Sequence, residues 1–88
     1  MKNKNESAAD VEIEIPVIVN GRQKAAKKKN LTFEEVVFLT FPMQVIQNRN
    51  TAFTITWKHE GKGGELSNGD TIEVKKGMIF NITATDKS

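Results

Sequence analysis

At 88 residues the chain can build one hydrophobic core, so we expect a single domain. It has no cysteine, which excludes disulfides, thiolate catalysis and sulfur-ligated metals, and favours a reducing, cytoplasmic setting. The formal charge is only +2, and the longest apolar-rich run, residues 33–45, is too short and too polar to cross a bilayer. We therefore expect no membrane segment.

The beginning of the chain divides into an arm and a strand. Residues 1–10 have no large apolar side chain after Met1, so burial cannot offset the entropy of ordering them, and they are predicted to form a flexible arm. In residues 11–19 apolar side chains alternate along the chain, which predicts a half-buried strand. Asn20-Gly21 follows, the dipeptide typical of a two-residue hairpin turn.

The return arm of this hairpin, residues 22–29, is polar and is predicted to be an outer strand. It carries a basic patch, which we define as Lys24, Lys27, Lys28 and Lys29. Such a patch can attract nucleic acid or an acidic protein surface, but no aromatic residue lies among these lysines to stack on bases. We favour a solvated strand edge over nucleic-acid binding.

A short helix is predicted to begin after Thr32. Thr32 and Glu35 have the spacing of a capping box, in which each side chain accepts a hydrogen bond from an otherwise unpaired backbone amide. The apolar residues that recur at helical spacing are Phe33, Val36, Val37 and Phe41. Pro42 ends the helix. Residues 43–46 are expected to wrap the end of the helix, and residues 47–51 to form a polar loop.

The second half of the chain is predicted to form three strands joined by turns. The strands are residues 52–59, 71–74 and 78–85. The turns are the glycine-rich segments 60–64, 67–70 and 75–77. One face of the strand 52–59 holds Thr54, Thr56 and Lys58, and we interpret this polar face as a possible partner surface or an ordinary solvated face.

This order of elements predicts an α+β fold with a mixed sheet of four to five strands packed on one helix. The first and last strands are the most apolar and should be parallel neighbours in the centre of the sheet, as in the β-grasp fold. The domain is predicted to span residues 11–85, with a short tail of residues 86–88. The predicted core consists of Val11, Ile13, Ile15, Val17, Phe33, Val36, Val37, Phe53, Ile55, Trp57, Ile72, Phe80 and Ile82.

Residues suited to catalysis or to cofactor binding are few. His59 is the only histidine, and with Glu60 beside it the pair lacks both an activated nucleophile and the further ligands that a metal site needs. The glycines of the segment 60–64 join two strands and do not open a helix, so they lack the geometry of a phosphate-binding loop. We predict no catalytic, cofactor or metal site, and we expect Trp57 to be a core residue.

Four sequence segments together resemble bacterial ubiquitin-like domains of the multiubiquitin type. They are Ile18-Val19-Asn20-Gly21, Leu31-Thr32-Phe33-Glu34-Glu35-Val36, Phe53-Thr54-Ile55-Thr56-Trp57, and the stretch 65–80 with its Asn-Gly-Asp turn and Lys-Gly-Met-Ile-Phe ending. The resemblance covers residues 11–84. It implies a ubiquitin-like β-grasp domain that other proteins recognise.

The resemblance also implies a function and a set of partners. The chain would be a protein modifier whose C-terminal carboxylate, at Ser88, is activated by an E1-like enzyme and passed on with an E2-like protein. A deubiquitinase-like peptidase and a role in antiviral defence belong to the same expectation. Familiar modifiers end in a glycine pair, whereas this sequence ends Thr83-Ala84-Thr85-Asp86-Lys87-Ser88. A noncovalent protein-binding adaptor, docking through its sheet, is the alternative.

Overall fold

The computed structural model describes residues 13–42 and 50–86, which form seven strands and one helix. In chain order these are β1 (Ile15–Val19), β2 (Arg22–Ala26), β3 (Asn30–Thr32), α1 (Phe33–Phe38), β4 (Thr51–His59), β5 (Lys62–Leu66), β6 (Thr71–Glu73) and β7 (Ile79–Asp86). Within these ranges no helix is both long enough and apolar enough to span a membrane.

Five of the strands form one mixed sheet in the order β2-β1-β7-β4-β5. β1 and β7 are parallel, with Ile18 opposite Ile79 and Val19 opposite Phe80, and the other neighbouring pairs are antiparallel. The predicted parallel pairing of the first and last strands is confirmed, and so is the α+β class with a five-stranded mixed sheet and one helix. This architecture is that of a β-grasp domain.

The first hairpin has the two-residue turn that Asn20-Gly21 predicts. Asn20 and Gly21 both have positive φ angles, of 52° and 80°, as a type I′ turn requires. Counted back from this turn, Pro16 falls at a position that exchanges no hydrogen bonds with β2. The β1–β7 ladder begins only at Ile18, whose N–H donates to the Met78 carbonyl. The N–H that Pro16 lacks therefore leaves no strand partner unpaired.

Asn20 also connects this hairpin to β7. Its backbone N–H donates to the Phe80 carbonyl at 2.9 Å. Its side-chain Oδ1 accepts from the Ile82 N–H at 2.7 Å, and its Nδ2 donates to the Ile82 carbonyl at 3.1 Å. The side chain thus occupies the place of a further β1 residue and satisfies the backbone of β7 where β1 has ended.

The second hairpin is tighter than the glycine content of its sequence suggests. Glu60 and Gly61, with φ angles of 51° and 80°, are sufficient for the turn. Gly63 and Gly64 lie in β5, opposite Lys58 and Trp57. The predicted turn over residues 60–64 is therefore wrong in extent, because a two-residue turn already brings the two strands into register.

The predicted outer strand 22–29 is also too long. β2 ends at Ala26, residues 27–29 bend, and β3 begins at Asn30. β3 pairs with β6 as a separate two-stranded sheet, with Leu31 opposite Ile72. Because Leu31 is buried and the preceding lysines are exposed, the chain turns away from β1 to place that side chain in the core.

The helix α1 begins with the predicted capping box. The Glu35 N–H donates to Thr32 Oγ1 at 3.2 Å, and the Thr32 N–H donates to Glu35 Oε1 at 2.9 Å. The helix is six residues long, with Phe33, Val36 and Val37 buried. Phe41 lies beyond its end and packs on Phe53, with ring centroids 5.3 Å apart. The expected wrapping by residues 43–46 concerns a segment outside the described residues.

The core lies between the main sheet, α1 and the β3–β6 pair. The predicted core residues that are buried are Val17, Phe33, Val36, Val37, Ile55, Phe80 and Ile82, and those that are partly buried against them are Ile15, Phe53, Trp57 and Ile72. Buried residues absent from the prediction are Val19, Ala26, Leu31, Leu66, Val74 and Met78. The prediction of Ile13 is wrong: it precedes β1 and is 43% exposed. Val11 lies outside the described residues.

Candidate protein-recognition surface

The face of the main sheet that points away from the core carries the predicted polar surface. Thr54, Thr56 and Lys58 of β4 are exposed on it, and they lie opposite Thr83, Asn81 and Ile79 of β7 respectively. The structure therefore brings together the β4 part of the predicted partner surface. The face is largely polar, with one apolar end.

That apolar end is formed by two isoleucines on neighbouring strands. Ile18 of β1 and Ile79 of β7 are register partners, and they are 36% and 37% exposed. Lys58 lies on the other side of Ile79. Sequence reasoning missed this pair, although both residues occupy outward positions of alternating strands, where a large aliphatic side chain is itself a signal. We call Ile18 and Ile79 the isoleucine pair.

Two shallow hollows flank the isoleucine pair, and both include Gly77. One has a volume of about 440 Å³ and is lined by Pro16, Val17, Ile18, Gly21, Gln23, Lys76 and Gly77. The other has a volume of about 470 Å³ and is lined by Lys58, His59, Glu60, Gly61, Lys62, Gly63, Gly77 and Ile79. The Gly77 N–H donates to the Pro16 carbonyl at 2.8 Å, which holds the segment between the hollows against β1.

The charge around the isoleucine pair is mainly positive. Lys58, Lys62 and Lys76 line the two hollows, and Glu60 is the acidic residue among the lining side chains. In the part of the chain that the structure describes, no carboxylate oxygen lies within 4.0 Å of any of these three ammonium groups. An apolar pair surrounded by lysines favours a partner that presents an aliphatic side chain next to acidic residues.

The basic patch predicted from the sequence is partly neutralised. Lys27 Nζ lies 2.8 Å from Glu14 Oε2, and Lys28 Nζ lies 2.5 Å from Glu35 Oε2. The hydrogen bond from Lys27 is the main cause that lowers the pKa of Glu14, and that from Lys28 is the main cause that lowers the pKa of Glu35. Both carboxylates therefore stay charged beside the lysines and reduce the positive charge that a phosphate would meet.

The two other lysines of the patch differ in their surroundings. Lys24 is half-buried on β2, opposite Val17, and Lys29 is exposed in the bend that precedes β3. The carbonyl of Lys29 accepts the Val74 N–H at 2.7 Å. The four lysines therefore do not form one uniform exposed surface.

The glycines of β5 have a packing role. A Cβ atom at Gly64 would lie 3.0–3.2 Å from the Trp57 indole, and one at Gly63 would lie 2.9 Å from the Trp57 carbonyl oxygen. The indole therefore lies against the backbone of β5, where a side chain would displace it. His59 is half-buried opposite Lys62, and among residues 13–42 and 50–86 no three His, Asp or Glu side chains are placed to hold a metal.

The C-terminal end of the described chain is a paired strand. β7 continues to Asp86, which lies opposite Thr51 of β4. Ser88, the predicted conjugation end, lies outside the described residues.

Comparison with known proteins adds a family to this fold. The profile of the multiubiquitin family matches residues 15–86, from the first residue of β1 to the last of β7. The chain belongs to the multiubiquitin family. No curated protein and no solved structure gives a significant match. The resemblance stated from the sequence segments is thereby confirmed.

A multiubiquitin domain is a ubiquitin-like domain, and domains of this kind are in general not enzymes. A candidate site in such a domain is therefore sought on its exposed surface. In this multiubiquitin domain the isoleucine pair and the surrounding lysines are a candidate for such a site.

Proposed function

We propose that this chain is a protein modifier, activated at its C-terminal carboxylate by an E1-like enzyme and joined to acceptor proteins with the help of an E2-like protein. The observation that supports the proposal most strongly is the family match over the whole of the sheet and helix. In the proposed reaction the carboxylate attacks the α-phosphate of ATP and pyrophosphate leaves. The nitrogen of an acceptor amine then attacks the acyl carbon of the adenylate, AMP leaves, and the amine loses a proton to give an amide.

The central position of β7 suits such a role. On the β1 side its backbone is hydrogen-bonded as far as Ile82, whose N–H donates to Asn20 Oδ1, and on the other side it is paired with β4 as far as Asp86. A strand held in this way gives the chain after Asp86 a fixed point of attachment, and a fixed attachment lowers the entropy lost when an enzyme positions the carboxylate. The cytoplasm is the proposed location, a deubiquitinase-like peptidase would reverse the linkage, and antiviral defence is the proposed setting.

The test is an activation assay on the full chain with a C-terminus verified by mass. The chain is mixed with an E1-like enzyme and with ATP, and intact mass is followed. We expect an adduct that requires ATP. The matched control is the same chain with its C-terminal carboxylate blocked as an amide, which should form no adduct. Absence of an ATP-dependent species with the unblocked chain would remove the proposal.

A second candidate function is a noncovalent adaptor, and the isoleucine pair is the observation that favours it. Two large aliphatic side chains lie side by side on an otherwise polar sheet face, and their contact with water in the free protein is unfavourable in free energy. Binding of a partner with an aliphatic side chain and acidic neighbours would bury them and pair Lys58, Lys62 and Lys76. Such binding requires no activated carboxylate.

The adaptor is tested by a substitution that keeps the fold. Ile79→Asp should abolish noncovalent binding to the E1-like and E2-like proteins, measured by calorimetry without ATP. Thr83→Asp is the matched control, because Thr83 is exposed on the same face of the same strand. Binding should also survive deletion of residues 86–88, whereas conjugation should not. Equal losses from Ile79→Asp and Thr83→Asp would count against a specific role for the isoleucine pair.

A further inference from the structure

The chain contains two Asn-Gly dipeptides, Asn20-Gly21 and Asn68-Gly69, and both lie in turns. Asn-Gly dipeptides in proteins are prone to spontaneous deamidation. The glycine nitrogen can attack the asparagine Cγ and expel ammonia, because glycine has no Cβ to obstruct the approach. The resulting five-membered succinimide takes up one water and opens to aspartate or to isoaspartate. The attack requires a carboxamide that is free to rotate.

The carboxamide of Asn20 is not free to rotate. Its two polar atoms are hydrogen-bonded to the N–H and the carbonyl of Ile82, a residue that is 62 positions away in the sequence and is itself buried. Bringing Cγ onto the Gly21 nitrogen would break both bonds. It would also leave the backbone of Ile82 unpaired beside the core.

The carboxamide of Asn68 has no such restraint. Asn68 is exposed, and within the described ranges its side chain takes no hydrogen bond. The turn is closed instead by its neighbours: the Asp70 N–H donates to the Ser67 carbonyl, and the Ser67 N–H donates to Asp70 Oδ2, each at 2.9 Å. Gly69 has a φ of 95°, and a Cβ built on it would meet no atom within 4 Å.

We propose that Asn68 is a site of spontaneous modification in the folded protein, converted through a succinimide to aspartate and isoaspartate, whereas Asn20 is protected by β7. The Gly69 nitrogen loses its proton and forms a bond to Asn68 Cγ as the Cγ–Nδ2 bond breaks, and Nδ2 takes up a proton and leaves as ammonia. Water then adds to either carbonyl of the ring. Addition at one carbonyl restores the normal backbone with an aspartate, and addition at the other gives isoaspartate.

The modification would alter a groove that is lined by residues of α1, β4 and β5. Asn68 is one of the residues lining a groove of about 450 Å³ beside α1, whose rim already carries Glu34 and Glu65. A new carboxylate adds negative charge there. Isoaspartate also lengthens the backbone between Ser67 and Asp70, and the Asp70 carbonyl accepts the N–H of Phe33, the first residue of α1.

The experiment follows both sites in one protein. The full chain is incubated, folded, in mildly alkaline buffer made with water labelled with heavy oxygen, and peptides containing Asn20 and Asn68 are analysed by mass spectrometry over time. In the folded chain Asn68 should convert about thirtyfold faster than Asn20, the factor expected from two net hydrogen bonds. In strong denaturant the two rates should become similar, since both carboxamides are then free.

Two outcomes would overturn the proposal. Equal rates in the folded chain would show that β7 does not protect Asn20, and slow conversion of both sites when folded, with fast conversion in denaturant, would show that the Ser67–Asp70 turn protects Asn68. Asn68→Gln is the control variant, because the longer side chain would have to close a less favourable six-membered ring. It should release no ammonia from this position and leave the rate at Asn20 unchanged.

Discussion

Asn20 has two structural roles, and only one of them can be recognised from the hairpin sequence alone. Its backbone adopts the left-handed conformation of the turn, and its side chain forms two hydrogen bonds to Ile82. The first role was predictable, because Asn-Gly is the usual type I′ sequence. The second was not, because it depends on a strand that begins some sixty residues later. The hydrogen bonds of the Asn20 side chain can be recognised only once β7 is known to lie beside β1.

The side-chain role of Asn20 can be measured by replacing it with glycine. Asn20→Gly keeps a residue that tolerates positive φ but removes both hydrogen bonds, so the free energy of unfolding should fall by about 2 kcal/mol. Asn68→Gly is the matched control, since Asn68 also precedes a glycine in an exposed turn but makes no side-chain hydrogen bond to the described residues. It should change stability by less than about 0.5 kcal/mol. Urea denaturation of both variants gives the comparison, and equal effects would contradict a bonding role for Asn20.

Glu35 makes part of the stability depend on pH. The hydrogen bond from Lys28, followed by that from the Thr32 backbone, lowers the pKa of Glu35 from its ordinary value of 4.5. A carboxyl whose pKa is lower in the folded state stabilises the fold above its unfolded pKa, and this stabilisation is lost as the pH falls through the folded value. Melting temperature should therefore fall on acidification below about pH 4.5, and less so in Glu35→Gln than in the parent. Parallel pH curves for the two proteins would contradict this assignment.

At the scale of the elements, α1 shows how a short helix depends on its first turn and its buried face. A helix of six residues is too short to be stable alone, so its cap and its packing determine whether it forms. Thr32 supplies the cap, and Phe33, at 9% exposure, begins the buried face. Both features were predictable because they are local: a capping box and an apolar stripe lie within ten residues.

Three substitutions rank the contributions to α1. Thr32→Ala should lower the free energy of unfolding by about 1 kcal/mol, and Phe33→Ala by about 3–5 kcal/mol because it leaves a cavity in the core. Lys28→Ala removes an exposed ion pair with Glu35 and should change stability by less than about 1 kcal/mol. Thermal melts of the three variants test the order. A Phe33→Ala protein that melts like the parent would show that α1 does not pack on the sheet as described.

The elements that sequence reasoning misplaced are those whose limits depend on distant partners. β3 is three residues long and pairs with β6, which follows about forty residues later, so no local pattern separates it from the lysine-rich segment before it. Gly63 and Gly64 suggest a turn, but they lie in β5, where a Cβ at Gly64 would meet the Trp57 indole and a Cβ at Gly63 would meet the Trp57 carbonyl oxygen. In both cases tertiary packing overrides local propensity.

In the whole sheet, the parallel pairing of the first and last strands was predictable from the apolarity of these two strands. The two most apolar strands lie at or next to the centre, and a helix between them requires a crossover that makes them parallel. The candidate recognition surface was only partly predictable. Thr54, Thr56 and Lys58 follow from alternation within one strand, whereas the isoleucine pair requires the register between β1 and β7.

Amide hydrogen exchange should show this arrangement in the whole molecule. The amides of Phe80 and Ile82 lie in the central strand, are buried, and have neighbouring strands or Asn20 on both sides, so they should exchange only when the molecule unfolds globally. The outward-facing amides of Gly63 and Glu65 on the edge strand β5 should exchange far faster. Exchange measured by NMR tests the difference, and similar protection at the centre and at the edge would contradict the strand order.

The position of β7 also has a consequence for biosynthesis. The strand that bridges β1 and β4 is the last of the strands in residues 13–42 and 50–86, and the Asn20 side chain can form its hydrogen bonds only when Ile82 is present. During translation the first hairpin, α1 and the β4–β5 hairpin therefore leave the ribosome before the sheet that unites them can close. Most of the long-range pairing then forms in one late step, which predicts slow folding for the size of the chain and exposure of the apolar faces of β1 and β4 until synthesis has passed β7.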